Sequence, residues 1–316
     1  MLVLGSMFKK GLPAHNHNIR TLRRVTEPIL VLIFLAAIIL TAWRGVHHIE
    51  QETRHSAGKA LNTVLLTTQE ALHLWAETRI NDAKSLAARP VVVDLVSQLQ
   101  RLSRSRETLL ANDTQAEIRA ELRSVLDLQG YLGFFVIAPD AVNLASMRDA
   151  NVGIRNIIAE RRPDLLARVF DGESIIVPAI ASDVPLNRSR KRAQQLQPTM
   201  FAAVPLVGED GTITAAFTVR IDPIGDFSGL TSLGRIGKSG ETYIIDRDGY
   251  MLSESRFDFQ LRAAGLLRFN QPSVLSVRVT DPGANLMEGV WSATPPSERP
   301  LTVMAREATA GHRGLN

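Results

Sequence analysis

Hydrophobic positions fall into three regimes along the chain. The first is an apolar run at 28–43, PILVLIFLAAIILTAW, which Gly45 and Val46 extend past Arg44. About 18–20 helical residues rising 1.5 Å each span roughly 30 Å of hydrocarbon. A buried core helix of this length would normally show a polar stripe, so the run reads as a membrane helix. In the second regime Leu61, Leu65, Leu72, Trp75, Ala83 and Leu86 recur at helical steps among Glu, Lys, Arg and Gln. Pro90 interrupts or restarts that helix. Thr114 and Glu117 have capping-box spacing before Ile118, Leu122, Val125 and Leu126, and Gly130 supplies the stop.

After Gly130 the period changes to that of strands. Residues 134–137 and 143–147 read as a strand pair around the turn 138–140, and 154–170 as a helix closed by Asp171 and Gly172. Residues 174–180 form a further strand, and 199–207 and 212–221 flank a hairpin turn at 208–211. Strand pair, helix, strand and long antiparallel hairpin is the order of a PAS-like α+β unit. The chain then repeats itself. Residues 135–140 (FVIAPD) overlay 243–248 (YIIDRD), an offset of 108 that continues through Leu144 over Leu252 to Arg148 over Arg256. Two copies of one unit account for this better than chance likeness of two strand pairs. The second copy's closing hairpin is expected near 307–330, a span that runs beyond Asn316, so the second unit is expected to be incomplete and the chain a fragment without its output domain.

Charge changes the picture at one end only. The net charge is +4, yet Lys9, Lys10, Arg20, Arg23 and Arg24 precede the first acidic residue, Glu27. Without that tail the chain is close to neutral, which argues against a nucleic-acid-binding face. Positive charge on the N-terminal flank places the tail in the cytoplasm and the rest outside the cell membrane, in the periplasm of a Gram-negative cell. The sequence TAWR that ends the run is a poor cleavage site, which favours an uncleaved signal anchor over a signal peptide. No cysteine occurs, so disulfides, thiolate metal sites and cysteine nucleophiles are excluded. The expected organisation is a basic tail at 1–26, an anchor at 27–47, a helical stalk and layer at 48–129, a membrane-distal unit at 130–225 and a membrane-proximal unit at 226–316.

The segment 233–256, LGRIGKSGETYIIDRDGYMLSESR, together with the hairpin at 200–222, resembles the double Cache family. These are extracytoplasmic sensor domains with two PAS-like units after a long helix. The resemblance runs from the anchor to about residue 310 and implies ligand sensing without specifying an output. Members of the family precede histidine kinases, chemoreceptors, diguanylate and nucleotide cyclases and serine/threonine kinases. It also implies a distal pocket in which an Arg holds a carboxylate and two Asp residues an amine. The candidates here are Arg148, Asp183 and Asp222, with Asp149, Asn151 and Arg155 beside the first. No Trp-Tyr pair follows Arg148, so the family's amino-acid motif is not met and the ligand class stays open. Arg256 shares the position of Arg148, which leaves a structural role open for both.

Other motifs carry less. Around Gly237, Lys238 and Ser239 the position five before the glycine is Ser232, where a phosphate loop needs glycine, and a strand is expected next. The basic stretch 188–192 (RSRKR) has no interleaved aromatics. His47, His48, His55 and Glu52 lack a metal-site spacing. No cofactor, metal site or catalytic set is expected in these residues, although a kinase or cyclase domain beyond them remains open. The sequence therefore points to the sensing region of a membrane receptor, dimeric through its long helix, that takes a small molecule. The rival is a ligand-free structural ectodomain.

Overall fold

The computed structural model describes residues 17–182, 197–232, 234–235, 237–284 and 292–312; for 17–29, 31 and 296 it gives backbone only. Residues 1–63 and 64–316 form two compact units. The first is part of helix α1 (His17–Ala87), and its stretch from Leu32 onward is long and apolar enough to cross a membrane. Ile33, Phe34, Ile38 and Ile39 all stand exposed on it.

The second unit is α+β and PAS-like. The last turns of α1 lead into α2 (Pro90–Gln100), α3 (Arg106–Ala111) and α4 (Thr114–Gln129). Pro90 opens α2 at its first turn, and Arg89 before it is extended at φ −63, ψ 126, as a residue preceding proline must be. The Thr114–Glu117 capping box does not form. Thr114 is itself helical and buried, its N–H is taken by Asn112 Oδ1 at 2.9 Å, and its hydroxyl turns to Gln98. Gly130 ends α4 at φ 76, a left-handed stop that glycine adopts without strain.

Five antiparallel strands follow: β1 (Gly133–Ile137), β2 (Asn143–Ser146), β3 (Ile175–Ala181), β4 (Pro198–Val207) and β5 (Ile213–Ile221). Their order across the sheet is β2-β1-β5-β4-β3, so β5 lies at the centre. Between β2 and β3 the expected single helix is two, α5 (Ile157–Arg161) and α6 (Pro163–Phe170). Pro163 is the cause: it cannot donate and drives Arg162 out of the helical region, to φ −140 and ψ 59. Both faces of the sheet are covered. Phe134, Val136, Phe217 and Val219 face Leu86, Leu99, Leu122 and Leu126 of the helical layer. Phe135, Ile137, Phe201 and Ala216 face Ile158, Leu166 and Val169 of α5 and α6.

After β5 come a π-helical turn (Pro223–Phe227), α7 (Ser228–Ser232), α8 (Asp258–Ala263) and α9 (Val303–Thr309). The 108-residue repeat is reproduced in hydrogen bonds. Ala138 N–H donates to the Val142 carbonyl at 2.9 Å, and Asp246 N–H to that of Tyr250 at 2.9 Å. Ala141 and Gly249 both donate back across their turns, with φ of 66 and 84. The pair Ile137–Asn143 has its equal in the bridge Ile245–Met251. Among the described residues after Phe227, however, only isolated bridges form. In the first copy β5 supplies the ladder that extends β1, and the described residues hold no counterpart of β5.

A buried amide pair ties β2 to α5. Asn156, fully buried, accepts the Ile158 N–H at 2.7 Å and donates to Asn143 Oδ1 at 2.6 Å, and Asn143 donates to the Asn151 carbonyl at 2.9 Å. Asn156→Ala removes a cap and orphans the Asn143 oxygen. It should cost about 2–4 kcal/mol in urea unfolding of the detergent-solubilised chain, followed by tryptophan fluorescence.

Candidate ligand-binding site

Strand register brings two cations to one face of the sheet. Gly133 lies opposite Arg220, and Arg220 opposite Phe201 on the far side. Ser146 lies opposite Phe135, so Arg148, two residues further along β2's course, emerges on the same side as Ser146. Gly133 thus separates Arg148 from Arg220 and presents no side chain between them. Its φ of 149 favours glycine, and an added Cβ would stand 3.3 Å from Met147 Cβ. A narrow cleft results, lined by Gly133, Phe135, Ser146, Arg148, Asn151 and Arg220 among others. Its free volume of about 10 Å³ is room for one water, so a larger occupant requires the cleft to open.

Arg220 is the unusual member, only 4% exposed in the central strand. Its guanidinium carbon lies 4.9 Å from the Phe135 ring centre and 5.2 Å from that of Phe201, and Nη1 donates to Ser182 Oγ at 3.1 Å. Two aromatic faces and a hydroxyl hold the planar cation without exposing it to bulk water. On the same face the Thr199 and Thr218 hydroxyls are fully buried and find no hydrogen-bond partner among the described residues. Polar groups left so are uncommon, and they add hydrogen-bonding capacity around the arginine.

The six residues singled out from sequence separate here. Arg148 and Asn151 line the cleft, Asn151 almost fully buried. Asp149, between them on a 3₁₀ turn (Asp149–Asn151), is exposed and pairs with Arg119 at 2.7 Å. Arg155 is exposed and is not among the lining residues; its backbone bridges Val142. Asp222 is occupied as a cap: Oδ1 accepts the Ile224 N–H at 2.9 Å at the start of the π-helical turn. Asp183, and nearly all of the basic loop at 188–197, lie outside the described residues. Sequence reasoning passed over Arg220, although an arginine inside the apolar strand ITAAFTVRI was a readable signal.

A second polar cluster lies on the helical side. Trp75 Nε1 and Arg79 Nη2, both on α1, donate to the two carboxylate oxygens of Asp226 at 3.2 and 2.9 Å. Tyr131 donates to Asp82 at 2.7 Å, and burial, with Asp82 as acceptor, holds its phenol above the ordinary range. Asp226 sits in the turn into which β5 leads, so one strand joins the arginine cleft to this clasp.

The chain matches no family model and no curated protein sequence. It is similar to several solved structures. The Escherichia coli DcuS sensor domain is 15% identical with a TM-score of 0.34, covering 53% of this chain and 97% of that one. The ligand-binding domain of the Campylobacter jejuni chemoreceptor Tlp3, in complex with L-norvaline, is 14% identical at 0.44, covering 69% and 80%. The sensor domain of the Vibrio cholerae histidine kinase DctB is 13% identical at 0.41, covering 68% and 76%. Two are sensor domains and the third a chemoreceptor's ligand-binding domain. At such identities and scores, the chemistry of the cleft has to be read from its own residues.

In the second copy two of the cleft positions carry different groups, Glu241 for Gly133 and Glu254 for Ser146, while Arg256 keeps the arginine of Arg148. Burial pushes the Glu254 carboxyl up to about 7, and Asp258 beside it adds to the effect. A carboxyl raised on folding holds its proton more tightly in the folded chain. Its contribution to stability is therefore full below the ordinary value of 4.5 and is lost as pH rises through about 7. Glu254→Gln should flatten the fall in melting temperature between those two pH values; the same slope in both chains would contradict this.

Proposed function

We propose that the chain is the extracytoplasmic ligand-sensing region of a membrane-bound signalling receptor of the double Cache type, and that it receives a small carboxylate-bearing molecule between Arg148 and Arg220. The observation that carries the reading is the pair of arginines on one sheet face, separated by a residue without a side chain. Guanidinium groups suit carboxylates because their paired N–H donors match the two oxygens. Phe135 and Phe201 supply apolar walls, and Thr199 and Thr218 supply hydroxyls.

The apolar part of α1 serves as an uncleaved signal anchor, with the basic tail in the cytoplasm and the remainder outside. Ligand binding acts on β5 through Arg220, and β5 acts through the Asp226 turn on Trp75 and Arg79 of α1. A ligand shifts that balance only by its difference in affinity for two arrangements of the clasp. The mature receptor pairs as a homodimer along the long helix, where Leu61, Leu65, Leu66 and Leu74 are exposed.

Two experiments test this. Thermal melting of the full chain in detergent micelles against a panel of two- to six-carbon carboxylates should reveal compounds that raise the melting temperature. Arg148→Ala and Arg220→Lys should each weaken such a compound about tenfold, a loss of about 1.4 kcal/mol. Lys retains the charge of Arg220 but not the fork. Unchanged affinity in both variants would remove the cleft from the binding site, and binding by neutral compounds alone would exclude the carboxylate reading. For orientation, protease added to spheroplasts should digest the chain after Val46 and spare an epitope on the N-terminal tail; the reverse pattern would overturn the topology.

A further inference from the structure

We infer that the second copy of the unit holds a carboxylate site of its own, occupied by the chain's own Glu241. The 108-residue offset places Glu241 at the position of Gly133, where the first copy leaves space between its arginines. The Glu241 side chain is not turned to solvent. Oε1 accepts the Ser255 hydroxyl at 2.7 Å and the Arg256 backbone N–H at 2.7 Å. Ser255 is buried, and its own N–H is taken by Ser273 Oγ at 2.7 Å, so the hydroxyl that grips the carboxylate is fixed. The Arg256 guanidinium donates to the Gly240 carbonyl, next to Glu241 in the chain, and lies 5.3 Å from the Phe257 ring.

Two donors reach the carboxylate, a backbone N–H and a seryl hydroxyl, and the arginine packed on an aromatic ring holds the backbone carbonyl beside it. The occupant is tethered, so its effective concentration exceeds that of any free competitor, and the second copy is closed to external anions. The ligand class that this site would accept is a short aliphatic monocarboxylate, the chemistry of the glutamate side chain itself. Glu241 contacts none of the residues lining the first cleft in any of these hydrogen bonds, so loss of either site leaves the other to be measured separately.

Chemical rescue tests the inference on the full chain in detergent micelles. Glu241→Gly removes the side chain and should lower the melting temperature by about 5 °C. Sodium propionate, the severed side chain, should recover at least half of that loss at millimolar concentrations while leaving the parent chain unmoved. Propionamide should recover none. Glu241→Gln should be lowered in the same way and should not respond to propionate, because its amide fills the space. Repeating the series with Arg148→Ala removes any contribution from the first cleft. A Glu241→Gly chain as stable as its parent, or one that propionate shifts no more than the parent, overturns the proposal. Should Glu241→Gly fail to fold, its folded yield in propionate buffer is the readout: recovery supports an internal carboxylate site and no recovery overturns it.

Discussion

The second unit is organised around one expensive residue, an arginine buried at the centre of a sheet. Removing a guanidinium from water costs several kcal/mol unless its surroundings replace the lost solvation. Two phenyl faces and the Ser182 hydroxyl answer part of that demand for Arg220, and its place at 4% exposure imposes conditions on the neighbouring positions. The cross-strand neighbour on β1 is glycine, which keeps the region between the cations open. The neighbour on β4 is Phe201, which stacks. Replacing such a group by a hydrocarbon is often neutral or stabilising, so stability alone does not account for a buried arginine. In the function proposed above, its place in the sheet is explained by ligand binding.

In the proposed function, the position of that arginine also sets how a binding event travels. β5 is hydrogen-bonded on both edges, so it cannot shift without its neighbours, whereas its C-terminal end leads into a turn held by side chains. Asp222 fixes the start of that turn by capping it, and Asp226 fixes its end by accepting from Trp75 and Arg79. The Arg79–Asp226 contact is part-buried, and Tyr131 and Asp82 extend it into a network, so it is less screened than a surface ion pair. A clasp of this kind has few intermediate geometries: each hydrogen bond is either made or lost. That gives the central strand a discrete partner on the helix that also carries the apolar stretch.

Much of the fold was legible in sequence because local rules and the repeat agreed. The glycine stop and the helix restart rest on residues whose backbone demands are strong, Gly130 and Pro90, and the 108-residue offset on a run of matching residues. The failures have physical causes as well. The capping box at Thr114 was a matter of spacing, and Asn112 reached the N–H first. Of the site residues, Arg148 and Asn151 could be reached by following β2 outward, but a 3₁₀ turn rotates the residue between them away, so Asp149 meets Arg119 instead. Asp222 had the right charge and an unmet local N–H two residues on, which took precedence over any longer reach. Arg220 was hidden because both sheet faces are buried: period-2 alternation of apolar and polar residues, the usual guide to which side a residue faces, is lost in such a strand.

The two copies show what a duplicated unit can do with one position. Glycine at 133 leaves an arginine-flanked cleft, while glutamate at the equivalent 241 reaches into its own copy and takes a hydroxyl and a backbone N–H there. The neighbouring exchange goes the same way: Ser146 in the first copy is small and neutral, and Glu254 in the second is a carboxyl that burial keeps protonated into the neutral range. Glu241 adds a carboxylate where the first copy has glycine, and Glu254 adds a carboxyl that burial keeps largely neutral. On the proposal that Glu241 fills its own site, a free anion meets an open position in the first copy and an occupied one in the second. On that proposal, selectivity between the copies follows from one aligned position, Gly133 against Glu241, presented by a strand ladder in the first copy and, among the described residues, by isolated bridges in the second.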